Sequence, residues 1–409
     1  MLVCVVGSGG REHALAAVLS RTAEVVVTPG NAGIPWSIDT SPEEVDADLF
    51  VIGPEAPLVD GLADRLRAAG KLVFGPSAEG AQLEGSKRWM KELLVAAGVP
   101  TAKYGSFTVE SEALAFLDTM VPPYVIKTDG LAAGKGVVVT DSLVEARNAV
   151  GDYLSGAAFG EAGQLLVIEE GLVGPEVSVL AVCDGKRAVL LDPAQDFKRA
   201  CDGDSGPNTG GMGAYSPVPA LGDEFLAEVN STFIEPTLAE LRKRGIDYRG
   251  VLYAGLMLTA DGPKLLEYNV RFGDPETQVV LPRLRSDLAQ ILAEAAAGNL
   301  VTEPVFTSDA MVTVVCAAEG YPSQPATGAT IHGIEEATSS LGGSVFCAGV
   351  QAEGANLVVA GGRVLNVCGT GLTLSEARKH AYRALESVRF DGMQFRTDIA
   401  LKAESGAQQ

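Results

Sequence analysis

Apolar positions along the chain fall into short runs cut by glycine and proline turns, and their spacing changes character along its length. In the first hundred residues, four apolar runs at 2–6, 24–28, 49–52 and 71–74 alternate with stretches at helical spacing, 11–21, 58–69 and 77–97. Short apolar runs bounded by turn residues read as buried strands. Strands separated by helices imply right-handed crossovers and a doubly wound parallel sheet. Ligands of such sheets sit beyond the carboxyl ends of the strands. Here those ends carry Gly7-Ser8-Gly9-Gly10, Pro29-Gly30-Asn31-Ala32-Gly33 and Gly53-Pro54-Glu55.

Gly98-Val99-Pro100 interrupts the pattern and marks a first boundary. Beyond it the spacing predicts helices at 110–118, 141–154 and 223–244. It predicts strands at 124–127, 137–139, 164–169, 176–182, 186–191, 251–259 and 264–269. Asp184-Gly185 and Asp261-Gly262 are hairpin signals. Residues 192–217 read as a long polar loop. Runs at 311–317, 342–349 and 357–367 suggest a mostly β segment closed by a helix at 375–388, with a frayed tail at 403–409.

Composition narrows the function. A hydrophobic share of 47% with 20% charged residues supports sizeable cores and argues against disorder. Lys+Arg 31 against Asp+Glu 52 leaves a net charge of −21, which repels nucleic-acid backbones but leaves a pocket free to bind a small anion. No apolar run approaches the ~18 residues that span a bilayer, and 2–6 is too short for a signal peptide, so a cytoplasmic protein with neither membrane nor nucleic-acid partner is expected. Six cysteines (4, 183, 201, 316, 347, 368) and three histidines (13, 332, 380) show no zinc spacing and read as reduced, mostly buried thiols.

Five segments carry candidate chemistry. Gly7 to His13 joins a strand to a helix, where free N–H groups suit a phosphate. A dinucleotide fingerprint would need glycine in place of Glu12 and an acid in place of Thr28, so a smaller phosphate or a plain structural turn fits better. Lys127-Thr128-Asp129-Gly130 through Gly134-Lys135-Gly136 is not a Walker loop, being one residue short and lacking Ser or Thr after Lys135. Its glycines could still fold over a polyphosphate that Lys127 reaches, with Lys103 as a second phosphate lysine; a hairpin turn with solvated lysines is the alternative. Glu169, Glu170, Leu172 and Glu176 could line a nucleotide pocket, or be solvated acids at a strand end.

Residues 265–277 are the most informative. Strand alternation puts Glu267, Asn269 and Arg271 on one face. A carboxylate and a carboxamide oxygen suit Mg²⁺, and an arginine beside them suits a transferring phosphoryl group or a carboxylate. The segment 195–214 holds both charge signs and many glycines. It reads as a clamp for a substrate with both charges, or as a flexible excursion.

Taken in order, GSGGREHAL, PGNAG, GPEAPLV, QLEGSK, IKTDGLAAGKGV, GPNTGGMGAYSP, LYAGLM and EYNVRFGDPETQ resemble the phosphoribosylamine–glycine ligase (glycinamide ribonucleotide synthetase) family of the ATP-grasp superfamily, from residue 1 to about 400. The resemblance implies an α/β fold of three units: an N-terminal doubly wound parallel sheet (the pre-ATP-grasp domain) at 1–100, an ATP-grasp α+β body at 101–300 with 121–190 as a lid, and a small mostly-β C-terminal domain at 301–409. It implies ligation of glycine to 5-phosphoribosylamine with ATP as co-substrate, through a glycyl phosphate, in purine biosynthesis. The family also occurs fused to other purine-pathway enzymes, and a 409-residue chain reads as monofunctional, with a monomer expected. Lys103, Lys127, Gly130, Gly134, Lys135 and Gly136 would then meet the ATP phosphates, and Glu169, Glu170, Leu172 and Glu176 the adenosine. Glu267 and Asn269 would hold Mg²⁺ or Mn²⁺. Lys127 and Arg271 would be catalytic, Arg271 also lying beside glycine.

The same resemblance assigns the substrates to Gly9, Gly10, Arg11, Asn31, Gly33 and Glu55 at the N-terminal strand ends. It adds Asp196, Lys198, Asp204 and Thr209 to Gly213 (Gly210, Gly211, Met212) in the 195–214 segment. One departure from the wider superfamily is the absence of an acid on the preceding strand, where 253–257 reads Tyr-Ala-Gly-Leu-Met. Rival readings are a different ATP-grasp carboxylate–amine ligase, a nucleotide-binding module without catalysis, and an NAD-dependent oxidoreductase.

Overall fold

In the computed structural model, residues 1–131, 136–155, 165–219 and 221–404 are described. Strands Leu2–Gly7, Glu24–Pro29, Leu49–Ile52 and Val73–Phe74 form one parallel sheet in the order second, first, third, fourth, as the alternation of apolar runs requires. The expected helix at 58–69 is two, Glu55–Val59 and Leu62–Ala68, divided at Gly61, whose φ of +78° is left-handed. The expected helix at 77–97 is also divided, into Gln82–Gly85 and Lys87–Ala97. Ser86 between them is extended, and its Oγ accepts from Trp89 N at 3.1 Å. Periodicity carries through both breaks because the apolar faces continue while the backbone resets.

Two antiparallel sheets follow. Tyr104–Phe107, Leu166–Glu170, Tyr124–Thr128 and Val137–Thr140 form the first, in that spatial order. Helices Glu110–Leu117 and Leu143–Leu154 cover it around a small core of its own. Ala188–Leu190, Glu176–Asp184, Arg249–Thr259 and Gly262–Asn269 form the second. The helical run 223–244 is Asp223–Val229 and Glu235–Lys243 joined by a π turn.

The segment 192–217 corrects the sequence reading. Gln195–Asp196 and Gly213–Ser216 are strands of a five-stranded C-terminal sheet with Ala310–Ala317, Arg363–Gly371 and Gly343–Cys347. Between the two short strands, Arg199–Cys201 and Ser205–Asn208 form a separate hairpin. Strands of two to four residues rich in glycine and polar groups carry no alternation to detect. The run 357–367 is likewise two strands, Asn356–Val359 and Arg363–Gly371. All six cysteines are free thiols, five buried and Cys201 exposed. Among the described residues no helix is long and apolar enough to cross a membrane.

Candidate functional site

A cleft of about 1050 Å³ opens between the two antiparallel sheets, with Pro54 and Glu55 of the N-terminal unit at one side and Tyr321 and Arg363 of the C-terminal unit at another. Glu267, Asn269 and Arg271 all line it. The pairing with Arg249–Thr259 slips between Gly255 and Leu256, so Gly255 faces Glu267 while Leu256 faces Leu265. This bulge re-aims the strand end at the cleft. Arg271 lies past the strand, yet its Nη2 donates to Asn269 Oδ1 at 3.0 Å and to Glu84 Oε1 at 2.9 Å, and its Nε to Glu55 Oε2 at 3.3 Å. Burial disfavours the guanidinium's charge, but Glu84 and Glu55 outweigh it and hold its pKa above the ordinary value. Glu55 experiences the converse: burial would raise it, and Arg271 with Arg11 brings it below the usual carboxylate range.

The Glu267 carboxylate has no hydrogen-bond or ion-pair partner among the described residues. Burial acts to raise its pKa, and Lys198, Lys127, Lys87 and Arg271 together pull it below normal. An unpaired carboxylate beside a carboxamide oxygen, facing a polar cleft, is a hard donor pair that fits a divalent cation. Among the described residues no cluster of three or more His, Cys, Asp or Glu gathers to hold a metal by itself. Mg²⁺, which completes its shell with water and phosphate oxygens, needs only a few protein ligands.

One end of the cleft is built on lysines. Lys127, at the end of Tyr124–Thr128, reaches Glu169 Oε1 at 3.1 Å. The other oxygen, Oε2, takes a hydrogen bond from Lys91 Nζ at 3.0 Å, and Lys91 also donates to Thr101 Oγ1 at 2.7 Å. Lys87 Nζ donates to the carbonyl of Gly130 at 2.9 Å. Asp129 accepts from Ser86 Oγ at 3.0 Å and from Arg88 N at 3.1 Å, so the break at Ser86 ties the glycine-rich segment to a helix start. Gly130 and Gly136 line the cleft; Gly134 and Lys135 lie outside the described residues. Glu170, Leu172 and Glu176 line it as well.

Lys103 is not brought into the cleft. Its side chain is exposed with the ammonium 5.8 Å over the Phe116 ring, and its backbone pairs with Glu170. Lys87, in the QLEGSK stretch, stands in the cleft wall instead.

At the other end Asp196, Lys198, Asp204, Thr209 and Gly210 line the cleft. Lys198 Nζ lies 3.0 Å from Glu176 Oε2. Burial pushes the Asp196 carboxyl up to about 7, Lys198 opposing and Glu276 and Glu176 adding to the shift. Gly211, Met212 and Gly213 follow into the C-terminal sheet: Met212 is buried, and a Cβ on Gly213 would meet Thr313 O at 2.6 Å.

The N-terminal glycine turns do mixed duty. Arg11 and Glu55 line the cleft, while Gly9 N donates to Glu12 Oε2 at 2.6 Å. A Cβ on Gly10 would lie 2.2 Å from Asn366 Nδ2, and one on Gly33 would lie 2.5 Å from Cys347. Asn31 Nδ2 donates to Ser8 O at 2.8 Å and Ala348 O at 3.0 Å. Gly10, Gly33 and Asn31 therefore pack the N-terminal unit against the C-terminal sheet. Sequence reasoning missed Glu84, Lys87, Lys91, Tyr253, Glu276, Tyr321 and Arg363. Glu84 and Lys87 sit inside QLEGSK and Glu276 inside GDPETQ, so a signal was present for those three.

Three family models match in order: the phosphoribosylglycinamide synthetase N domain over residues 1–84, the ATP-grasp (A) domain over 85–277 and the C domain over 311–402. The phosphoribosylamine–glycine ligase of Streptomyces coelicolor is 49% identical over 423 residues, covering 98% of this chain and 99% of that one. The enzyme of the same name from Caulobacter vibrioides is 49% identical over 424 residues, covering 98% of each. The crystal structure of the Thermotoga maritima phosphoribosylamine–glycine ligase superposes with a TM-score of 0.89 at 37% identity, covering 98% of this chain and 100% of that one.

Proposed function

The chain belongs to the phosphoribosylglycinamide synthetase family, and on that premise we propose how its cleft performs the family's reaction. The activity is ATP-dependent ligation of glycine to 5-phosphoribosylamine, giving glycinamide ribonucleotide, ADP and phosphate, a step of de novo purine biosynthesis. An amine cannot displace oxide from a carboxylate. Glycine's carboxylate therefore takes the γ-phosphoryl group of ATP, and the amine of phosphoribosylamine attacks the resulting acyl phosphate. Phosphate leaves from the tetrahedral intermediate and the amine gives up a proton. Positioning and charge neutralisation supply most of the rate.

The observation that carries this reading is the convergence of Lys127, Glu267, Asn269 and Arg271 on one cleft. Lys127 and Lys87 take the ATP phosphates as point charges, under Gly130 and Gly136. Glu170, Leu172 and Glu176 face the adenosine. Glu169 lines the cleft beside them and orients Lys127, its Oε1 lying 3.1 Å from that ammonium. Glu267 and Asn269 are the residues that would hold a divalent cation, Mg²⁺ or Mn²⁺; such an ion, when bound, draws charge from the phosphate oxygens. Arg271, fixed by Glu84 and Asn269, lies beside the γ-phosphoryl group and the glycine carboxylate. Asp196, Lys198, Asp204, Thr209, Gly210, Arg11 and Glu55 face the glycine and phosphoribosylamine end. Enclosure matters because water would hydrolyse the acyl phosphate.

The working units are taken as 1–100, 101–300 and 301–409. The part that closes over ATP is the sheet running from Tyr104 to Glu170 with its own small core, rather than 121–190, because Glu176–Asp184 and Ala188–Leu190 belong to the other sheet, where Glu176–Asp184 pairs with Arg249–Thr259. The protein acts as a monomer in the cytoplasm. ADP release with Mg-ATP, glycine and phosphoribosylamine, each omitted in turn, tests the reading. Turnover requiring all three supports it, and turnover indifferent to glycine overturns it.

A further inference from the structure

The hairpin of Arg199–Cys201 and Ser205–Asn208 contributes Asp204 and Asn208 to the cleft wall, but it has almost no apolar packing of its own. Residues 202–208 are all exposed, and their sequence, Asp-Gly-Asp-Ser-Gly-Pro-Asn, offers no large apolar side chain for a core. Its position must come from polar ties, and these converge on one segment. Arg396 is 1% exposed despite its charge. Its Nη1 donates to Asp204 Oδ1 at 2.8 Å and to the carbonyl of Arg199 at 3.1 Å. Its Nε and Nη2 grip both oxygens of Asp398 at 2.7 Å. Asp398 Oδ2 also accepts from Gly203 N at 2.8 Å, and Thr397 N donates to Asp202 Oδ1 at 2.8 Å.

The guanidinium stacks 5.0 Å over the ring of Phe197, the residue between Asp196 and Lys198. Asp204 itself has a φ of +52°, a conformation a non-glycine residue holds only when its surroundings impose it. The segment bearing Arg396 is anchored in turn by the helix Leu374–Leu385. Tyr382 Oη donates to Arg396 O at 2.8 Å, and Arg378 Nη2 to Thr397 O at 2.7 Å.

We propose that Arg396 is a positioning residue for the reaction: through Asp204 and Phe197 it holds the 199–208 hairpin and the Asp196–Lys198 strand end against the amine-substrate side of the cleft. The inference rests on the ligase reading given above. Arg396 touches no substrate. It sets the wall that the second substrate meets and that keeps water from the acyl phosphate. The adenine end, walled by Glu170 and Leu172, lies outside its reach.

The test uses the full chain with Arg396→Lys, which keeps the charge but loses the planar fork. A double variant, Asp202→Asn with Thr397→Val, loosens the same ties at exposed positions and serves if Arg396→Lys fails to fold. Hydrogen–deuterium exchange at amides 199–208 is expected to speed up. The KM for phosphoribosylamine is expected to rise at least about tenfold with the KM for ATP within about twofold, and ADP formed per ribonucleotide product to exceed one. Faster exchange with an unchanged phosphoribosylamine KM and one-to-one coupling would overturn the positioning role. So would a parallel rise in the ATP KM, which reports general loosening. If the wild-type chain shows no glycine- and phosphoribosylamine-dependent turnover, the ligase reading fails, and exchange decides the hairpin tie alone: unchanged exchange in the variants overturns it.

Discussion

Lys91 and Glu169 meet at 3.0 Å, Nζ to Oε2, with 0% and 2% of their side chains exposed. The second oxygen of the same carboxylate lies 3.1 Å from Lys127. Burial pushes the Lys91 ammonium down to about 8, while Glu169 keeps it from falling further. One carboxylate thus serves two lysines, only one of which lines the cleft. The position of the Lys127 ammonium in the cleft is tied to a buried ion pair whose lysine lies behind the cleft wall.

Lys91→Met therefore leaves Glu169 with a single partner in a dry setting. Removing one member of a buried pair costs about 3–5 kcal/mol. Thermal or urea unfolding is expected to show that loss. At temperatures where the variant stays folded, the KM for ATP is expected to rise, because Glu169 shifts towards Lys127.

Glu267→Gln keeps the shape of the side chain and removes the charge that four surrounding cations stabilise. The kcat is expected to fall by roughly 10²–10³, the scale for losing one transition-state electrostatic contact. Steady-state ADP release reads it, and near-wild-type turnover would remove Glu267 from the metal role.

Glu84→Gln keeps an acceptor for Val270 N, which Glu84 Oε2 binds at 2.8 Å, and weakens the 2.9 Å contact to Arg271. Burial raises the Glu84 carboxyl above the usual carboxylate range, with Arg271 opposing the shift. With its nearest anchor weakened, Arg271 is expected to lose orientation. The kcat is expected to drop about tenfold, the effect of a small misplacement near the reacting atoms. A melting temperature within a few degrees of wild type would assign that drop to orientation.

His13 gives the protein an acid-sensitive joint. Its Nδ1 accepts from Cys347 N at 2.9 Å, and its ring packs edge-on against Phe346 and Trp36. Burial lowers its pKa from 6.5 to about 4. Between those values the unfolded chain binds a proton that the folded chain refuses. Stability therefore falls as pH drops from about 6.5 towards 4, by on the order of 3 kcal/mol in total. In urea titrations across that range, His13→Asn, which keeps an acceptor for Cys347 N, is expected to flatten the slope. An unchanged slope would assign the acid loss to carboxylates such as Glu169.

Much of the site was readable before any coordinates because its groups are close along the chain. Glu267, Asn269 and Arg271 lie within five positions, on or just past one strand, and a two-residue period suffices to bring the first two together. The parallel sheet was readable for a similar reason: each strand is a continuous apolar run, and the crossovers between them leave few topologies. Where the structure departs from the sequence reading, the causes are local too. Residue type and the family resemblance both point Lys103 at a phosphate, whereas here its ammonium lies over the ring of Phe116, 13 positions away. Gly10 and Gly33 were read as ligand turns because a glycine that lets backbone approach a phosphate and one that lets two sheets close together are the same residue in a string.

The order of elements, the three-part division of pattern and the chemistry of the Glu267–Arg271 strand end follow from the sequence by itself, since propensity, periodicity and donor type are properties of neighbouring residues. The tertiary structure alone decided that Lys91 serves Glu169 from 78 positions away, that Glu84 anchors Arg271 from 187 positions away, and that 192–217 supplies two strands to a distant sheet. Such pairings depend on which surfaces exclude water together when the whole chain closes. A buried charge takes its partner from whichever element that closure brings within 3 Å, so its identity is written in no local pattern.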